Sequence, residues 1–121
     1  MEVRFRSAFG GVSADVLDDV ADAEILGIVD HHRLGDVMTV NPMEAWIWPV
    51  GCTNTVLFNM FKIEGHEITP QIAKLMMSAI LSDTVGFASP TCTQKDKDAV
   101  AELAEAVAEL AEAVAEFAEA V

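Results

Sequence analysis

Ala23-Glu24-Ile25-Leu26-Gly27-Ile28-Val29-Asp30-His31-His32 is the stretch that decides the fold class. Its apolar centre is the length of a strand and reads as a buried one over 24–29. It ends on a carboxylate and two imidazoles. In an open parallel sheet, ligands bind beyond the carboxyl ends of the strands. These three polar residues therefore fall where an α/β fold holds a metal or a phosphate. Leu81-Ser82-Asp83-Thr84 sets a second carboxylate at the end of another apolar run. Imidazole and carboxylate suit divalent transition metals, and together they point to metal-assisted phosphoryl chemistry. By residue type alone, two adjacent histidines after a strand are more often structural or incidental than functional.

Working outward, residues 2–6 alternate charged and apolar and allow a short strand, broken by Gly10-Gly11. Ser13 can cap a helix through Asp22. Val37 to Val40 reads as a short strand, with a turn at Asn41-Pro42. Ala45 to Trp48 reads as another strand, closed by Pro49 and Gly51. A helix is expected from Thr53 to Ile63, ended by Gly65. Thr69-Pro70 opens the next, which runs to about Leu81 and offers Ile72, Leu75, Met76, Ala79 and Ile80 to a core. The methionines read as packing, not as ligands. Ser89 to Thr93 is a turn, and Thr93 caps the last helix with Asp96 at its third position. The expected fold is α/β: three layers, a small mostly parallel sheet flanked by helices, and a long C-terminal heptad-repeat helix.

That last helix repeats VAELAEA, VAELAEA, VAEFAEA from Val100 onward. Val100, Val107, Val114 and Val121 occupy a; Leu103, Leu110 and Phe117 occupy d. Alanine fills b, e and g, and glutamate fills c and f. Small flanks allow close helix packing. Three heptads are marginal alone, and glutamates three and four apart repel, so the helix needs a partner. Its own domain, a second copy and another chain are all open, as are a duplicated or a designed origin. The organisation read here is a partial domain over 1–99 and an Ala/Glu-rich heptad helix over 100–121.

The chain has 121 residues, enough for one domain, and a formal charge of -13. Six glutamates in the last 22 residues carry almost half of that charge. Such acidity argues against a nucleic-acid backbone as the main partner. An anionic phosphate is compatible only with bound cations. Cys52 and Cys92 belong to no paired motif and are expected as buried free thiols, which fits a reducing compartment. The start of the chain has no apolar signal core, and no apolar run reaches membrane-spanning length. The expected location is cytoplasmic.

Three segments, IVDHHRLGD, PVGCTNTV and AILSDTVGFASPTCTQKDKDAVAELA, occur in that order. Together they resemble the DHH phosphoesterase superfamily, and within it the manganese-dependent (family II) inorganic pyrophosphatases, over roughly residues 13–104. The resemblance implies that His31 ligates one of two metals and that Asp83 is shared by both. It implies that His32 contacts the substrate phosphate and that Asp30 orients a neighbouring histidine. Gly51-Cys52-Thr53 would be a tight helix entry beside the site. The implied cofactor is Mn2+ or Co2+, with Mg2+ accompanying substrate. The implied reaction is attack of metal-activated water on pyrophosphate, releasing two phosphates.

The family pattern also includes an upstream histidine and aspartates that bind metal, and a second domain that brings lysine and arginine to the substrate. Neither is matched in this sequence, so a partial catalytic domain without activity of its own is expected. One alternative is a truncated or engineered α/β fragment that oligomerises through the C-terminal helix or an exposed sheet edge. A weaker one is a DHH-type nucleotide phosphodiesterase.

Overall fold

A computed structural model of the chain describes residues 24–35 and 37–120. They fall into two compact units that divide between Pro49 and Val50. The strand expected over 2–6 and the helix expected from Ser13 to Asp22 lie outside the described residues.

In the first unit, β1 (Gly27–Asp30) pairs in parallel with β2 (Glu44–Ile47). The register sets Gly27 against Glu44 and Asp30 against Ile47. Backbone bonds continue the ladder at both ends, from Glu44 N–H to Leu26 O at 3.3 Å and from Trp48 N–H to Asp30 O at 3.2 Å. Both strands are offset by a residue or more from the apolar runs that announce them. Strand β1 includes Asp30, because the ladder extends to where the chain bends and not to where polarity changes. Pro42 and Pro49 flank β2 outside the ladder, since neither has an N–H to contribute. Parallel strands need a crossover of a dozen or more residues; here residues 31–43 supply it, and the described ones among them form no helix. The strand expected at Val37 to Val40 is absent. Met38 is 89% and Val40 100% exposed, so their β-favouring side chains gain nothing from burial there.

The second unit holds three helices, α1 (Thr53–Ile63), α2 (Pro70–Asp83) and α3 (Gln94–Ala120). Their limits follow from local chemistry. Cys52 Sγ caps α1 by accepting from Asn54 N–H. At its far end His66 N–H bonds Phe61 O and Gly65 N–H bonds Lys62 O, with Gly65 at φ +71°. This crossed pair closes the last carbonyls and needs a left-handed residue, which glycine supplies without strain. Thr69 Oγ1 caps α2 through Ile72 N–H, and Pro70 occupies the first turn.

The core lies where Phe58, Met76, Ile80, Ala99 and Leu103 meet. On α2 the buried stripe is Ala73, Met76 and Ile80, rotated from the one expected. Ile72 is 36% and Leu75 72% exposed. The small Ala73 faces the core, where α2 packs against α3, and larger apolar residues are turned outward. The first turns of α3 pack on α2 and α1. Beyond Leu110 every described residue is exposed, including Val114 and Phe117.

Gly51 makes the tightest approach in this unit. A Cβ there would lie 2.7 Å from Thr84 Cγ2 and 3.0 Å from Asp96 Oδ2. Gly51→Ala is expected to lower the unfolding free energy by about 1–3 kcal/mol, the usual cost of overpacking. Gly65 has nothing within 4 Å of the same position, so Gly65→Ala should cost only the left-handed strain, about 1–2 kcal/mol. Urea midpoints of the two variants check the contrast: Gly51→Ala should show altered packing of α1 by amide chemical shifts, Gly65→Ala only a local change.

Candidate metal centre

Asp30, His31 and His32 come together where β1 ends. Each offers one ligand atom, and the three atoms lie within 4.8 Å of one another. Asp30 is buried at 2% exposure, while both histidines are half-buried. Its Oδ1 accepts from His31 N–H at 2.7 Å and from His32 N–H at 3.3 Å, which turns the chain as the strand stops. The same oxygen lies 2.7 Å from His32 Nδ1. An extended backbone would send two successive imidazoles to opposite faces; the bend brings the ring centroids to 4.1 Å instead.

The chemistry follows from the Asp30–His32 contact. A carboxylate on Nδ1 places the ring proton there and leaves Nε2 with a lone pair, the usual arrangement for a metal-binding histidine. If the ring carries both protons, Nε2–H donates instead and suits a phosphate oxygen. A carboxylate and two imidazoles thus fit a divalent transition ion.

Asp83 belongs to the second unit. It is the last residue of α2, and no basic residue occupies that final turn. An anion at a helix C-terminus opposes the macrodipole, so this exposed carboxylate gains from a cation or a hydrogen-bond donor. The Cys52 thiol is wholly buried; burial first, then the neighbouring Asp83 carboxylate, push it up to about 12. It stays protonated at neutral pH. Both cysteines are free thiols, Cys52 buried and Cys92 partly so.

Asp96 was legible only as a helix-start residue, yet its buried carboxylate joins three segments. It accepts from Gly51 N–H at 2.9 and 3.1 Å, from Thr55 Oγ1 at 2.6 Å, and from Thr93 N–H and Oγ1 at 2.7 and 2.8 Å. Burial works against its charge, but the bonds from Thr55, Thr93 and Gly51 outweigh it and hold the carboxyl below its ordinary range. Its position at the start of α3 also favours an anion. The contacts to Gly51 and Thr55 are 45 and 41 residues distant in sequence, and no local pattern signals them.

The pattern of the DHH family, N-terminal domain, matches residues 9–80. The chain belongs to this family. It is 51% identical over 92 residues to a Deinococcus radiodurans protein named as a manganese-dependent inorganic pyrophosphatase, covering 76% of this chain and 29% of that one. An Enterococcus faecalis protein of the same name is 48% identical over 89 residues, covering 74% of this chain and 29% of its own. A solved structure from Methanococcus jannaschii, titled as a family II inorganic pyrophosphatase, superposes with a TM-score of 0.70 at 36% identity. That match covers 75% of this chain and 32% of the other. The chain spans less than a third of the length of the curated relatives it matches. Among the described residues no helix is long and apolar enough to cross a membrane.

Proposed function

We propose that this chain forms part of the catalytic domain of a manganese-dependent inorganic pyrophosphatase, a cytoplasmic hydrolase. The observation that carries this reading is the Asp30-His31-His32 cluster at the carboxyl end of a parallel strand, in a DHH-family chain about half identical to proteins of that name. His31 and Asp83 are the residues that hold metal. His32 reaches the substrate phosphate, and Asp30 fixes the His32 ring through Nδ1. Bound Mn2+ supplies Lewis acidity, which lowers the pKa of water from about 16 toward about 7. Asp30, buried at the strand end, holds the turn through the His31 and His32 N–H groups. The heptad segment over 100–121 continues α3 from the domain read over 1–99, and its first turn packs on the core through Leu103. Its exposed turns beyond Leu110 are a surface for a second copy of the chain.

The test is phosphate release from pyrophosphate in the presence of Mn2+ by the protein that carries this segment. His31→Ala removes a metal ligand and should reduce turnover by about 100-fold, the upper end of what losing even a ligand's supporting partner costs. Unchanged turnover in His31→Ala would refute the assignment. Preferential cleavage of a cyclic dinucleotide over pyrophosphate would favour the phosphodiesterase reading.

A further inference from the structure

The first turns of α3 belong to the core, and its last turns carry the same apolar pattern into solvent. Leu103 is buried and Val107 packs at the edge of the core. Leu110 is half-buried, while Val114 is 59% and Phe117 73% exposed. These residues continue one a/d seam, flanked only by alanine at e and g. The glutamates at c and f lie about 160° round the helix axis from the middle of that seam. They do not reach a helix seated on it, so the acidity of α3 draws no basic partner there. The seam matches another uncharged seam with small flanks, and a second copy carries one. Two copies paired in this way keep their glutamate stripes on the outer faces, away from each other.

We propose that two copies pair antiparallel along this seam, with Val107 of one against Phe117 of the other and Leu110 against Val114. This rests on the reading of the exposed turns as a surface for a second copy, and it fixes the direction and register of the pair. One two-fold axis, level with Glu112, generates every layer. Each layer joins a valine to a larger side chain, and large opposite small lets the layers interdigitate. Phe117, the most exposed residue of the seam, lands beside Val107 at the edge of the other copy's core. Valine at a with leucine at d also serves parallel pairs. A parallel register here would stack Phe117 on Phe117 and valine on valine. It would also crowd two sets of α1 and α2 at one end, because both pack on the first turns of α3. The seam is short, about 15 Å of helix axis. The interface therefore falls at the small, transient end of the known range, and pairing depends on concentration.

Sedimentation of the 121-residue chain at rising concentration should shift from monomer to dimer. Phe117→Ala removes the largest seam side chain and favours helix; the residue is exposed in the single chain, so the core stays intact. The variant should dimerise about tenfold or more weakly, as when a buried aromatic anchor is lost. Direction is read by mixing 15N-labelled chain with unlabelled chain that carries a nitroxide at Glu119→Cys. The spin-labelled chain also carries Cys92→Ser, since Cys92 is the half-exposed thiol and Cys52 is buried. In the antiparallel register position 119 lies level with Glu105. Amide signals around Glu105 should broaden, and those around Glu119 should not. Broadening around Glu119 instead marks a parallel pair; it overturns the proposal and leaves the second-copy reading standing. A monomer at every concentration overturns both, and so does a dimer undiminished by Phe117→Ala, which would use another surface.

Discussion

Asp96→Ala is expected to lower the unfolding free energy of the helical unit by about 3–5 kcal/mol. Each hydrogen bond to a charged group is worth about 1.5–3 kcal/mol, and the bonds are not additive. The substitution leaves the Gly51 and Thr93 N–H groups and the Thr55 hydroxyl without their shared acceptor. A domain's whole stability is about 5–15 kcal/mol, so such a loss is large. Urea unfolding followed by far-ultraviolet circular dichroism reads it directly. The pH dependence has a definite sign. The Asp96 carboxyl is held below its unfolded value, so its contribution is complete above the ordinary carboxylate range. It is lost as pH falls through the folded value. The Asp96→Ala variant should therefore lose less stability on acidification than the parent does. An unchanged midpoint at neutral pH, or an equal acid loss in both proteins, would remove Asp96 from this role.

The second large effect is at Asp30. One oxygen of this residue meets two backbone N–H groups and a ring nitrogen. Asp30→Ala should release both the turn after β1 and the His32 ring. Mn2+ affinity is expected to drop about 10- to 100-fold, as it does when a histidine loses its orienting carboxylate. Asp30→Asn keeps an acceptor for the N–H groups but loses the charge, and should fall between the two. The histidine ring resonances of the metal-free protein check the mechanism. They should sharpen or shift in Asp30→Ala and shift less in Asp30→Asn. Equal Mn2+ affinity in all three proteins would separate Asp30 from metal binding.

These residues also mark how far local pattern reaches. Helix α1 was legible to the residue, because Cys52-Thr53 and Gly65 are local start and stop chemistry. Pro70 fixed the start of α2 for the same reason. Its end was placed two residues short, since Ser82 and Asp83 are polar yet still helical. The face of α2 was misjudged at Ile72 and Leu75 because burial depends on which neighbour is close, and a small Ala73 outranks a large leucine there. The strand expected at Val37 to Val40 failed because propensity without a ladder partner does not make a strand. At the candidate site, residue types pointed to Asp30, His31, His32 and Asp83. The bend that brings the imidazoles together depends on a hydrogen bond from backbone to Asp30, which no periodicity reveals. The contacts of Asp96 with Gly51 and Thr55 join residues distant in sequence and become visible only once the helices pack.

The most direct measurement is Mn2+ binding by the 121-residue chain, followed by loss of the free aqua-ion signal in electron paramagnetic resonance. The account predicts that the chain captures Mn2+ and that His31→Ala returns the ion to solution while circular dichroism stays unchanged. Absence of capture, or capture undiminished in His31→Ala, would contradict it.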